Sequence, residues 1–170
     1  GNSERNRSLR ILLFMLLTLT GWVRPTALTI DECSEAAFDQ ALAAAVDGSL
    51  IEFTCAGTIP ITATKVISAD VMIRAEPQTV TLDGQNRVRL VYIEQGAEVT
   101  IRGLDFVRGN AESGGSAINS NGTLTLVDSR LTENVHALAN FGTLTLERVT
   151  FAGNSGAGLY NSGLTLVRDS

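Results

Sequence analysis

The side chains of this 170-residue chain whose types could do chemistry are the carboxylates Asp83, Asp105, Asp128, Glu133, Glu147 and Asp169, the arginines Arg102, Arg108, Arg130, Arg148 and Arg168, and the single histidine, His136. Two carboxylates facing each other across a cleft would suit glycoside hydrolysis, one as acid and the other as nucleophile or base. The sequence sets no such separation. Asp128, Arg148 and Arg168 recur every twenty residues. If each twenty-residue unit stacks on the last, these three become neighbours on a polar face, and ordinary surface ion pairing of small value is expected. His136 stands in Asn134-Val135-His136-Ala137, a turn after a strand. An imidazole there could act as a general base; a solvated loop histidine is the plainer expectation. Asp83-Gly84 reads as a turn.

Cys33 and Cys55 are the two cysteines. With His136 they form no ligand set of zinc spacing, so neither a metal nor another cofactor is expected. In an oxidising compartment they would pair, closing a loop of about twenty residues and contributing about 3 kcal/mol. Two buried free thiols are the alternative. Two rows of asparagines recur at turns: Asn110, Asn134 and Asn154, and separately Asn119, Asn140 and Asn161. Asn tolerates left-handed backbone and bonds its own main chain, so a structural ladder is expected rather than a sugar-binding row. Thr123, Thr125, Thr143, Thr145 and Thr165 would face outward. A flat threonine array could bind ice, but Thr also suits any exposed strand, and Glu98 and Arg102 interrupt the flatness.

The elements that must position these residues follow from a repeat. Asn121-Gly122-Thr123-Leu124-Thr125-Leu126, Phe141-Gly142-Thr143-Leu144-Thr145-Leu146 and Ser162-Gly163-Leu164-Thr165-Leu166 place Leu126, Leu146 and Leu166 twenty residues apart. A period near twenty, carried by short alternating strands between Gly and Asn turns, indicates stacked β-coils. Further two- and three-residue alternations run from Ile51 to Phe106. Leu124/Leu126, Leu144/Leu146 and Leu164/Leu166 should stack inward, with Leu131 and Phe151 as a second inward position. The fold class expected is all-β, a right-handed single-stranded parallel β-helix covering 49–170. A cap over 28–48 should carry a helix at 35–47. Ser34 would start that helix, Phe38, Ala41, Leu42 and Ala45 would form its apolar face, and Gly48 would end it. Its task would be to cover the open first coil.

Residues 1–27 read as a secretory leader: arginines at 5, 7 and 10, an apolar run from Ile11 to Val23, then Ala27. An uncleaved N-terminal anchor is the rival. The whole chain carries a net charge of −5. Without residues 1–27 it keeps 9 basic and 17 acidic residues, a net of −8. Such a surface does not attract phosphate backbones or anionic lipid, so nucleic acid is excluded as a partner, and no membrane span is expected in the mature part. The chain stops after a strand with no capping motif, so further coils are expected beyond Ser170.

Gly114-Gly115-Ser116-Ala117-Ile118-Asn119 followed by Gly122-Thr123-Leu124-Thr125-Leu126 and Leu131-Thr132-Glu133-Asn134 resembles the repeat of polymorphic outer-membrane proteins, which joins a Gly-Gly-Ala-Ile turn to a Phe-x-x-Asn motif. Phe151-Ala152-Gly153-Asn154 matches the second motif, whereas Leu131 replaces its Phe. The segment from Cys33 through Asp83-Gly84 to Gly103-Leu104 resembles the first coils of secreted pectate-lyase-like β-helix proteins. That superfamily holds polysaccharide lyases, glycoside hydrolases and adhesins. Its enzymes carry clustered carboxylates, often with calcium, and an Arg, Lys or His base, so fold alone does not transfer function. The leader, the repeats and the lack of a convergent site together give the expectation of a secreted or cell-surface (outer-membrane) module, adhesin-like or structural, without its own catalysis. Its partner would be an extracellular polysaccharide or a host or neighbouring surface. The alternative is a lyase or hydrolase with its site in further coils, and calcium belongs to that alternative alone. Ice binding by the Thr face is a third.

Overall fold

The computed structural model describes residues 27–170; the expected leader falls, but for Ala27, outside them. Strand β1 (Leu28–Ile30) leads into helix α1 (Glu35–Ala44). The chain then winds in three-strand coils. The first is β2 (Ser49–Phe53), β3 (Gly57–Pro60) and β4 (Lys65–Ile67). The second is β5 (Val71–Arg74), β6 (Val80–Asp83) and β7 (Val91–Ile93). The third is β8 (Glu98–Arg102), β9 (Leu104–Val107) and β10 (Ile118–Ser120). The fourth is β11 (Thr123–Val127), β12 (Arg130–Thr132) and β13 (Leu138–Asn140). The fifth is β14 (Thr143–Glu147), β15 (Thr150–Ala152) and β16 (Leu159–Asn161), and β17 (Leu164–Arg168) opens a sixth. All pairings are parallel, in one seven-stranded and two five-stranded sheets. The molecule is a parallel β-helix, wound right-handed as crossover sterics require. Pro60, which has no amide donor, lies on edge strand β3.

Alternation builds the core. Ile51, Ile73, Ile101, Leu126 and Leu146 form one inward column of the first sheet, each paired with the next. Ile59, Leu82, Phe106 and Leu131 do the same in the second sheet, and Val91, Ile118 and Leu138 in the third. All are buried. Each such side chain contributes about 1.5–3 kcal/mol, and coil stacking makes the contribution continuous along the axis.

The last strand departs from the leucine pattern. Leu164 pairs with Thr143 and Thr165 with Leu144, so Thr165 faces inward while Leu164 and Leu166 face outward, 73% and 47% exposed. Two features set this phase. The path from Asn154 to Leu159 is one residue longer than that from Asn134 to its counterpart Leu138. The corner glycines then stay in step, because a side chain at Gly142 would collide with the carbonyl of Gly122, and one at Gly163 with the carbonyl of Gly142. A one-residue change in phase turns every side chain over. The hydroxyl of Thr165 is consequently buried without a hydrogen-bond partner among the described residues.

The N-terminal cap is a short helix. The Ser34 side chain accepts the Ala37 N–H at 3.2 Å, and Phe38 packs on Phe53 with centroids 5.4 Å apart. The helix ends at Ala44 rather than at 47. Ala45 is already extended, because the chain must turn back into β2; the Val46 N–H donates to the Ser49 hydroxyl at 2.9 Å, and Gly48 takes φ 87°. The Cys33–Cys55 disulfide, Cα atoms 5.5 Å apart, ties the segment before α1 to the β2–β3 corner. Lys65, 4% exposed at the start of β4, donates to Glu35 at 2.6 Å and to Asp39 at 2.7 Å, which locks the helix to the first coil. Burial alone would raise the Glu35 carboxyl, but bonds from Lys65, the Thr62 hydroxyl and amide and the Ala63 amide bring it from 4.5 down to about 2.

Two consequences are measurable. A depressed carboxyl contributes stability that is fully present above its unfolded value and lost as the pH falls through its folded value. The Glu35 share is therefore lost between pH 4.5 and about 2. Glu35→Gln is expected to weaken the protein at neutral pH and to flatten acid unfolding in that window; an unaltered acid curve refutes the assignment. Thr165→Val, by removing an unsatisfied buried hydroxyl, is expected to stabilise the fold by about 1 kcal/mol in urea melts, and a loss of stability refutes that account.

Candidate functional site

The corners between sheets collect the charged candidates. Asp128 and Arg148 turn the chain from the first sheet to the second with φ of 49° and 51°, where the third coil uses Gly103, and Asp169 follows β17 with φ of 52°. Arg108 and Glu133 turn it out of the second sheet with φ of 52° and 59°. Left-handed backbone is unfavourable for residues with a Cβ, and a corner that projects its side chain into solvent suits charged residues with room to spread.

On the first corner, Asp128 receives Arg148 through two bonds, the Nη2 one at 2.8 Å, and Arg102 at 3.4 Å; Arg102 also reaches Glu76 at 3.5 Å. Arg148 further contacts Glu147. Arg148, by its hydrogen bonds, holds the Asp128 carboxyl below the usual carboxylate range. Arg168 does not share this corner: it pairs in register with Glu147, and Asp169 takes the corner position. At the next corner Arg108 grips the buried Asp83 with two nitrogens, Nε at 2.9 Å, and the Gln85 N–H adds a third bond at 2.9 Å, which lowers the Asp83 carboxyl. Asp105 faces outward on β9 opposite Arg130, and burial raises its carboxyl against the pull of that arginine. The candidate carboxylates are thus spread over two corners and one outward column. Among the described residues no group of three His, Cys, Asp or Glu side chains could hold a metal ion.

The asparagines divide differently from their spacing. Asn134, 1% exposed, accepts the Gly109 N–H at 2.8 Å and donates to the Phe106 carbonyl at 3.1 Å. Asn154 accepts the Asn134 N–H at 2.9 Å and donates to the Leu131 carbonyl at 3.0 Å. Asn110 is outside this ladder; its amide bonds the Asn86 carbonyl, and Gly109 takes the ladder position. In the third sheet Asn140 donates to Asn161 at 2.7 Å. Asn119 is one register place away, opposite Ala139, and Ser120 stands opposite Asn140. Thr100, Thr125 and Thr145 form an outward column beside Thr123 and Thr143, bounded by Met72 and Glu98 on one side and Leu164 and Leu166 on the other.

His136 is bonded to both neighbouring coils: its main-chain N–H donates to the Ser116 hydroxyl at 3.0 Å, and its ring Nδ1 accepts the Ala157 N–H at 3.2 Å. It lines a cleft of about 320 Å³ together with Gly114, Ala139, Phe141, Ala157 and Tyr160. Sequence reading missed this cleft, and missed Lys65 as the lock of the cap. The available signals were a lone lysine in an acidic chain and a Phe and a Tyr nineteen residues apart on either side of the same turn type. Among the described residues no helix is long and apolar enough to cross a membrane. In comparisons with protein families, curated proteins and solved structures, nothing matches the chain.

Asn134→Ala removes three side-chain bonds at once, to the Gly109 N–H, the Phe106 carbonyl and Asn154 Oδ1, and leaves the buried Gly109 N–H without that acceptor. It is expected to destabilise the protein by at least about 2 kcal/mol, whereas Asn110→Ala is expected to fall within about 0.5 kcal/mol of the parent. Equal effects of the two in chemical unfolding contradict the assigned ladder.

Proposed function

We propose that this chain is a non-catalytic β-helix module of the pectate-lyase-like kind, with repeats like those of polymorphic outer-membrane proteins, secreted or displayed at the cell surface and acting as an adhesin-like binding or scaffold unit. One observation carries the reading: Asp83, Asp128 and His136, three of the groups able to do chemistry, are held in structural bonds between adjacent coils. Asp83 is held by Arg108, Asp128 by Arg148 and Arg102, and the Nδ1 of His136 by the Ala157 amide. A general base or nucleophile needs its reactive lone pair free to meet substrate. The disulfide fits an oxidising compartment, and the acidic surface fits a partner other than nucleic acid.

The test is made in cells expressing the full reading frame. The protein is expected in the medium or exposed to an impermeant protease on intact cells, with Cys33 and Cys55 protected from alkylation until reduced. Asp128→Asn and Arg148→Gln are expected to leave surface adhesion unchanged. Retention of the protein in the cytosol with free thiols refutes the address. Release of unsaturated or hydrolysed sugar from acidic polysaccharide, abolished by either substitution, replaces this reading with the enzymatic one.

A further inference from the structure

The outward column of the third sheet runs Val66, Tyr92, Asn119, Ala139, Tyr160. Two departures from regularity open a cleft in it. The connection over residues 108–117 is the longest between the second and third sheets, and it folds over Asn119, where the Gly115 N–H meets Oδ1 at 3.4 Å. Arg89 holds this loop in place through the Gly115 carbonyl at 2.8 Å and the Ser113 carbonyl. The next residue in the column, Ala139, has only a methyl group, so a notch remains between the loop at Gly114 and the ring of Tyr160. Phe141 stands beside Tyr160 with centroids 5.7 Å apart and planes at 48°, and the two are 47% and 53% exposed.

The notch is amphipathic in a particular way. Its floor and one wall are methyl and aromatic surface. Its far end holds His136, whose Nδ1 accepts the Ala157 N–H; in the neutral imidazole the proton is then on Nε2, which donates to no acceptor among the described residues. At about 320 Å³ the volume lies at the lower end of the range for small-molecule sites. No Lys, Arg, Asp or Glu lines it. A pyranose ring has matching chemistry: a face of C–H groups that packs on an aromatic ring, and a rim of hydroxyls that accept from a donor. An anionic sugar would meet a chain with net charge −5 and no lining cation.

We propose that this cleft is a binding subsite for a neutral hexopyranose or pentopyranose unit of a polysaccharide. Tyr160 and Phe141 supply the stacking surface, Ala139 the room, and His136 the donor. The proposal rests on the reading of the chain as a binding module and adds the class of ligand.

The purified, ¹⁵N-labelled protein is titrated with cellohexaose, xylohexaose, mannohexaose and chitohexaose, and with trigalacturonate as the charged counter-probe. Saturable shifts of the Gly114, Ala139 and Ala157 amides with at least one neutral hexaose are expected, with weaker effects from trigalacturonate. Tyr160→Ala is expected to reduce affinity about tenfold or more while the rest of the spectrum stays dispersed. Tyr160→Phe, which keeps the ring, is expected to retain binding. Absence of shifts with every neutral hexaose, tighter binding of trigalacturonate, or undiminished affinity in Tyr160→Ala overturns the assignment. Recovery of the bound hexaose intact separates the two levels: a hexaose that binds at these amides but is cleaved supports the subsite and refutes the non-catalytic reading.

Discussion

The close contact of successive corners governs this structure. Gly122, Gly142 and Gly163 stack so tightly that a side chain on either later glycine would strike the carbonyl of the one before, and the Thr143 and Leu164 amides donate to the carbonyls of Gly122 and Gly142 at 3.0 Å. This fixes the axial register, and the register decides which residues face the core. In β17 the corner and the hydrophobic pattern disagree. Burying Leu164 and Leu166 would gain about 1.5–3 kcal/mol each if another coil covered them, but on the last described coil only one neighbour is present and the gain is partial. Against it stand a backbone collision, the Asn140–Asn161 bond and the ladder bonds of the strand. The corner prevails, at the cost of a buried threonine hydroxyl.

The same geometry explains why the charged residues gather where they do. A β-helix of this cross-section needs abrupt turns, and this chain makes them with single left-handed residues. Side chains at such corners leave the sheet surface and lie one above another in adjacent coils, so oppositely charged residues twenty to twenty-six positions apart meet: Asp83 with Arg108, Arg102 with Asp128, Asp128 with Arg148. The more exposed pairs, those on Asp128, stabilise little individually. The chief effect of the pairs is to tie each corner to the one above it.

Much of the fold was legible because the Thr-Leu-Thr-Leu phase and the glycine spacing agree through β11 and β14. The helix start was legible from Ser34, and the cysteine pairing from its context. The helix end was not, since nothing local at Ala45 forbids helix; the need to re-enter β2 at Ser49 stops it. Asn134 and Asn154 were readable as related positions, but Asn110 and Asn119 share their neighbours' spacing only approximately, and coils of unequal length move them one place out of register. Arg168 fails for the same reason as Leu166: both were placed by counting twenty, where the structure steps twenty-one.

That unevenness bears on where function resides. Along the inward column Ser49, Val71, Val99, Leu124, Leu144 and Thr165, successive coils advance by 22, 28, 25, 20 and 21 residues. A perfectly uniform solenoid has flat faces and no concavity. Extra residues in one coil must leave the wall as a loop, and the edge of that loop makes a step. Here the step made by residues 108–117 in the third coil falls beside the shorter fourth and fifth coils, and there the outward column drops to Ala139 before rising to Tyr160. This aromatic-walled concavity therefore arises from a mismatch in coil length, and the residues that give it chemical character are those that depart from the repeat.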